Sequence, residues 1–308
     1  MGYVKRINIM TVSDFWDSFN TEEKCHNYLF EKRWPEGFVC PRCKERESHF
    51  QPERKLNWCV KCGYQASVTS GTIFHSRNLP LWKWYWAIYR VAQDKKGFSA
   101  MQLMKEIGVS YPTAWYLLQK IREAMKKRDE RYMLSGTTEM DDGYVGGKEE
   151  GKVGRGSEEK VPIVVAVEER ITEKGLKPGY TAIRAVPNLS GRYINKFAQS
   201  KIRLDSIIKT DGWRGYSGLS KKGYNHDIII TGGGKAAGEL FPWVHVVIGN
   251  LKRFLLGTHH HVCKNHLDGY IAEYVYRLNR RFHEEDLFEH LLMACLLVPP
   301  KPKKHLKK

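Results

Sequence analysis

The sequence predicts a multidomain α+β protein: small cysteine-stapled and helical modules first, then a mixed sheet flanked by helices. Three observations carry this. Two C-x-x-C pairs, Cys40/Cys43 and Cys59/Cys62, lie in a short, turn-rich, basic stretch. A helix–turn–helix spacing follows over residues 97–126. Beyond residue 136 the apolar pattern gives three strands, a helix, another strand and then helices, the order of a sheet covered by helices. A chain of 308 residues has room for about two domains plus small modules.

Composition narrows the partners. The formal net charge is +17, from 51 Lys and Arg against 34 Asp and Glu. That excess points to a polyanion, with an anionic membrane surface as the weaker alternative. No apolar run approaches the roughly 18–20 residues that span a bilayer. The N-terminus lacks the apolar core of a signal peptide, and Gly2 lacks the context for myristoylation. Seven cysteines, four of them clustered and Cys25, Cys263 and Cys295 scattered, suit a reducing, cytoplasmic compartment and metal binding better than disulfides.

Residues 1–35 hold one or two short helices, from the spacing in "SDFWDSF" and "EEKCHNYLFEKRW". Residues 36–78 form a zinc ribbon. Each C-x-x-C pair fits a tight turn at a hairpin tip, and four thiolates on one Zn2+ tie the tips together. Four cysteines leave no open position, so the ion is structural and supplies much of the module's folding energy. Unligated cysteines or an iron–sulfur centre are the alternatives.

Residues 79–130 form the helical DNA-binding region. "LPLWKWYWAIYRVAQ" is apolar on nearly every face, a buried helix, although Trp82, Trp84 and Trp86 also suit a base-stacking platform. Next, a helix starts at Ser99 and stops at Gly108, and a second runs to Met125. Leu103, Ile107, Val109, Ala114, Leu117, Leu118 and Ile121 make its core. Ser110, Tyr111, Thr113 and Trp115 open the second helix and face DNA. A helical hairpin without DNA contacts is the plain alternative.

Residues 136–298 form the second large domain. "TTEMDDGYVG", "VPIVVAVEER" and "YTAIRAVPNL" are strands, "GRYINKFAQSKI" a helix, and "DSIIKTDGWRGYSGL" a buried strand ending at Asp211. "NHDIIITGG" is a short strand, and the pattern turns helical from Leu240. Residues 146–160 suggest a Gly-rich hairpin tip, and residues 299–308 a basic tail.

Asp141 lies inside the first strand of this domain and Asp211 at the end of another. Neighbouring strands would bring their carboxylates together, and a divalent cation would hold both ionised. Strand-end aspartates that cap turns are the plain alternative. Asp142 points to the opposite face. A third ligand has to arrive from a helix. Asn250 offers a neutral carbonyl oxygen; His245, softer, and Glu273 are rivals. Lys252, two positions from Asn250, is off its helical face. Arg253 and His259–His261 suit a DNA groove.

Taken together, "RWPEGFVCPRC", "GTIFHSRNLPLWKW", "GVSYPTAWYLLQKIREAM", "MDDGYVGGK", "TDGWRGY", "VIGNLKRFLLGTHHHV" and "YIAEYVYRLNRRF" resemble the bacterial insertion-sequence transposases that carry an N-terminal zinc ribbon and a ribonuclease-H-like catalytic domain. The resemblance covers nearly the whole chain. It implies cleavage and strand transfer of DNA at the ends of a mobile element, by two Mg2+ or Mn2+ ions. It makes Asp141 and Asp211 the first two catalytic acids, Asn250 the third ligand in the asparagine form of the site, and Lys252 the basic residue that holds DNA near the metals. One departure is "DDGY", where many relatives have Thr after the acid; Gly143 is expected to loosen that strand. The partners implied are inverted-repeat ends, target DNA and further copies of the chain in a homodimer or larger synaptic assembly. A nuclease without strand transfer, a non-enzymatic DNA-binding regulator and an RNA-binding zinc protein are the rival readings.

Overall fold

The computed structural model describes residues 9–76, 78–146, 160–230, 241–259 and 262–300. They divide into two compact units. One comprises residues 1–94, 98–127 and 283–308; the other comprises residues 95–97 and 128–282.

The first unit opens with α1 (Val12–Phe19) and α2 (Glu22–Arg33). A capping box starts α1: Thr11 Oγ1 accepts from the Asp14 N–H at 3.2 Å, and Asp14 Oδ2 accepts from the Thr11 N–H at 2.8 Å. A three-stranded antiparallel sheet follows: β1 (Ser48–Gln51), β2 (Leu56–Cys59) and β3 (Gln65–Ser67). Then come α3 (Leu81–Gln93), α4 (Ala100–Ile107) and α5 (Tyr111–Asp129), whose last two residues belong to the other unit. Trp84 is buried against Phe74, whereas Trp86, two residues on and so across the helix, stacks on Trp16 at 5.2 Å. Helical burial therefore accounts for the tryptophan run.

The last helix among the described residues, labelled α9 (Leu287–Leu297), also belongs to this unit. Its Phe288 ring lies 5.3 Å from Phe19 and 5.8 Å from Tyr85. The sequence-based boundary at residue 298 therefore differs from the compact unit, which ends at 282. The cause is an aromatic cluster built from residues far apart in the chain.

The second unit is a five-stranded mixed sheet in the order β6-β5-β4-β7-β8. Strands β4 (Thr137–Val145), β5 (Val161–Thr172) and β6 (Gly175–Ala185) are antiparallel neighbours. β7 (Ile207–Thr210) runs parallel to β4, and β8 (Asn225–Ile228) parallel to β7. Helix α6 (Gly191–Lys201) makes the crossover between β6 and β7. Ile194 and Phe197 from it pack on Met140, Val164, Ala166 and Ile208 of one sheet face. On the other face, Ile163, Val165 and Val167 meet α7 (Pro242–Phe254) and α8 (Leu267–Asn279). Because both faces are covered, β5 reads as an unbroken apolar run rather than an alternating one. This is the expected mixed sheet flanked by helices. The strands, α6 and the C-terminal helices fall near where the apolar pattern put them, except that β6 starts five residues before the expected Tyr180 and ends at Ala185. Most of the expected Gly-rich tip (147–159), His260, His261 and residues 301–308 lie outside the described residues.

Candidate metal centres and nucleic-acid interface

The cysteine site is built by repetition. At the first pair, the Cys40 N–H donates to Glu45 O and the Lys44 N–H to Cys40 O, at 2.8 and 3.0 Å. At the second, the Cys59 N–H donates to Tyr64 O and the Gly63 N–H to Cys59 O, both at 3.0 Å. Each turn needs a left-handed residue four positions after its first cysteine, and Lys44 and Gly63 share a φ of 66°. These turns aim all four sulfurs inward, within 4.8 Å of one another. The Cys40–Cys62 and Cys43–Cys59 sulfur separations are 3.7 and 3.4 Å. A tetrahedron with bonds of about 2.3 Å has edges near 3.8 Å, so the donors fit Zn2+. Burial raises the Cys40 thiol, but the backbone N–H groups of Cys43 and Arg42 and the neighbouring sulfurs outweigh it and bring the thiol to about 6.

The helix–turn–helix forms as the capping residues predict. Ser99 Oγ accepts from the Gln102 N–H at 3.1 Å to start α4, and Gly108 ends it in the left-handed region with φ 60°. Helix α5 then begins at Tyr111. Ser110 and Tyr111 are exposed, Thr113 and Trp115 half-buried. The Ser110 and Thr113 hydroxyls are 2.9 Å apart, which orders the first turn.

In the second unit the register of β4 against β7 pairs Thr137 with Ile207, Thr138 with Ile208 and Glu139 with Lys209. Carried two residues on, it sets Asp141 beside Asp211. Asp141 faces α7 with about a quarter of its side chain exposed. The Trp213 N–H donates to Asp211 Oδ1 at 3.1 Å and fixes that carboxylate in a turn. Asp142 points to the α6 face, as alternation predicts, and accepts from the Tyr216 hydroxyl at 3.0 Å. Burial, and after it the carboxylates of Asp142, Asp141 and Asp211, hold the Tyr216 phenol far above its ordinary range. Asp141 and Asp142 thus point to opposite faces of β4, and Asp141 and Asp211 are the hard oxygen donors of the kind that Mg2+ or Mn2+ prefers.

Helix α7 is laid along β4. Glu139 Oε2 accepts from the Trp243 and Val244 N–H groups at 3.0 and 2.8 Å, so a buried carboxylate caps the helix N-terminus. Burial pushes Glu139 up to about 7 against those two hydrogen bonds and Lys209, with Glu169 adding to the rise. Further on, His245 Nδ1 is 3.7 Å from Asp141 Oδ2. A Cβ on Gly143 would meet Ile248 at 3.5 Å. The strand is not loosened there, since Gly143 pairs with Ile163 in an unbroken ladder.

The remaining α7 candidates lie elsewhere on the helix. Asn250 Oδ1 accepts from Arg253 Nη2 at 2.6 Å, so both side chains turn along their own helix. Lys252 is exposed. Glu273 is buried in α8, 3.9 Å from Arg277. His259 lies against the Tyr270 ring at 4.3 Å. Glu139 and Tyr216 were not singled out from the sequence; the sole trace of Tyr216 is its place in "TDGWRGY".

Two domain families match the chain: the transposase zinc-ribbon domain over residues 20–65 and the ISXO2-like transposase domain over residues 133–279. Over 282 residues the chain is 25% identical to an uncharacterized protein in transposable element ISH50 of Halobacterium salinarum, covering 84% of this chain and 92% of that one. Two Mos1 structures are also similar. A pre-cleavage transpososome matches with a TM-score of 0.26 and 10% identity over 67% of this chain and 77% of that chain. A paired-end complex with the left transposon end matches with a TM-score of 0.27 and 11% identity over 70% and 79%.

Proposed function

We propose, from the matches to the transposase zinc-ribbon domain and the ISXO2-like transposase domain, that the chain is an insertion-sequence transposase, and that it binds the terminal inverted repeats of its element and cleaves and joins DNA there with divalent metal. The observation that carries this reading is the parallel register of β4 and β7, Glu139 opposite Lys209, which when extended two residues puts Asp141 beside Asp211 within the matched domain. Asp141 and Asp211 bind the metal, Trp213 holds the Asp211 carboxylate and Tyr216 the neighbouring Asp142 carboxylate in place, and Lys252 grips a DNA phosphate. Bound divalent ions supply a lowered water pKa and charge stabilisation at a phosphate in flight. Water adds to the scissile phosphorus as its bond to the 3′ oxygen breaks, leaving a 3′-hydroxyl and a 5′-phosphate. That hydroxyl then adds to a target phosphorus and displaces the target's 3′ oxygen. No protein–DNA bond forms at either step.

The zinc ribbon, held by Cys40, Cys43, Cys59 and Cys62, and the start of α5, with exposed Ser110 and Tyr111 and half-buried Thr113 and Trp115, read the inverted repeat. Arg253 adds a phosphate contact once DNA draws it from Asn250. Two ends have to be held together before joining, which calls for a homodimer or larger assembly. The test supplies purified protein with labelled DNA carrying the element's ends, target plasmid and Mg2+ or Mn2+. Joined product is expected from the wild type. Asp141→Asn is expected to abolish cleavage while leaving end binding essentially unchanged. Nicking without joining would mark a nuclease, and binding without chemistry under either metal a regulator.

A further inference from the structure

We propose that His245, not Asn250, is the residue through which α7 completes the catalytic metal site. This rests on the transposase reading above and names the third ligand of that site.

Three observations carry it. The first is contact. His245 Nδ1 is 3.7 Å from Asp141 Oδ2, and the imidazole is 44% exposed, so an ion and its waters can reach both groups. Ligands of one octahedral ion with bonds of about 2.1 Å are separated by roughly 3 Å when adjacent and 4.2 Å when opposite. The observed separation falls inside that span.

The second is helical phase. At about 100° per residue, Asn250 lies roughly 140° round the helix from His245. Its amide oxygen is already engaged by Arg253. Lys252, seven residues after His245, returns to within about 20° of it. His245, Gly249 and Lys252 therefore form one stripe, whereas Asn250 and Lys252 are roughly 160° apart. A metal ligand and a phosphate-binding lysine that serve the same DNA strand have to share a face. Gly249 sits between them, and a Cβ there would meet nothing within 4 Å, so the stripe is open to an incoming backbone.

The third is the fixed pose of α7. Glu139 clamps Trp243 and Val244, and Gly143 admits Ile248. With Asp141 between Glu139 and Gly143 on the same strand face, the helix residue brought over it is His245. Asp141, Asp211 and His245 do not close to within 4.8 Å as the cysteines do. His245 would hold an ion together with Asp141, the carboxylate it lies against. An imidazole in place of a third carboxylate removes one negative charge and shifts preference toward Mn2+ over Mg2+.

The test is pulsed electron paramagnetic resonance on tag-free full-length protein with Mn2+ and a DNA end, which detects nitrogen bound directly to the ion. Strong 14N coupling is expected in wild type and in Asn250→Ala, and its loss in His245→Gln. Mn2+ affinity is expected to fall about tenfold or more in His245→Gln. His245→Glu is expected to keep Mn2+ bound, lose the coupling and lower the ratio of Mn2+- to Mg2+-supported cleavage about tenfold or more. No coupling in wild type, or coupling that survives in both His245 variants, overturns the proposal. Asp141→Ala separates the two levels: Mn2+ binding that ignores this change overturns the metal-site reading itself, and the proposal with it.

Discussion

The Tyr216 hydroxyl donates to Asp142 Oδ1, and the Asp142 N–H in turn donates to Asp141 Oδ1 at 2.8 Å. Through these two bonds the turn after Asp211 reaches the strand that carries Asp141. Tyr216→Phe removes one buried hydrogen bond, about 1 kcal/mol of stability. Because misplaced reacting groups lose rate steeply, turnover is expected to fall roughly ten- to a hundred-fold with DNA-end affinity unchanged. Single-turnover cleavage and end-binding titrations check this; equal loss in both would reduce Tyr216 to a packing residue. Residues such as these are hard to find in a sequence. A Glu in a strand reads as solvent-facing, so nothing marked Glu139 as a buried helix cap. Asn250 is singled out by its neutral carbonyl oxygen and by the asparagine form that the resemblance implies, neither of which says which way its side chain turns on the helix, where a seven-residue step preserves the face.

At the scale of elements, local chemistry was legible. Ser99 and Gly108 bound α4 as capping residues do, and the two C-x-x-C pairs sit on the expected turns. Helix α9 was not assigned to its unit, because "LFEHLLMACLL" is apolar all round and a sequence without a stripe does not say which neighbours it meets. The ribbon strands are three or four residues each, and Trp58 and Phe50 on them are exposed. So small a core leaves the metal to hold the module, with binding energy on the order of 10 kcal/mol. Chelation of one Zn2+ per chain is expected to erase amide-exchange protection in β1–β3 and preserve it in β4–β7. Protection that persists in β1–β3 without metal would mean that packing alone sustains the ribbon.

For the whole molecule the charge of +17 sets the expected mode of DNA binding. If six phosphates are neutralised, affinity for an end falls roughly 10³-fold between about 50 and 200 mM salt. Fluorescence anisotropy across that range checks this, and a flat response would remove the electrostatic footing of the DNA reading. Among the described residues no helix is long and apolar enough to cross a membrane. The parallel pairing of β4 with β7 has a separate consequence for how such a chain tolerates change. Asp141 and Asp211 are neighbours by strand alignment, and the hairpin, crossover helix and loops between them set only the path. Segments inserted at the β5–β6 turn, near residues 173–174, lengthen the thread without moving either carboxylate. One residue added within Ile207–Thr210 would shift the alternation by a step and turn Asp211 to the other side of the sheet. The two aspartates can thus drift far apart along the gene and still work as a pair, while a single misplaced codon in a four-residue strand silences them.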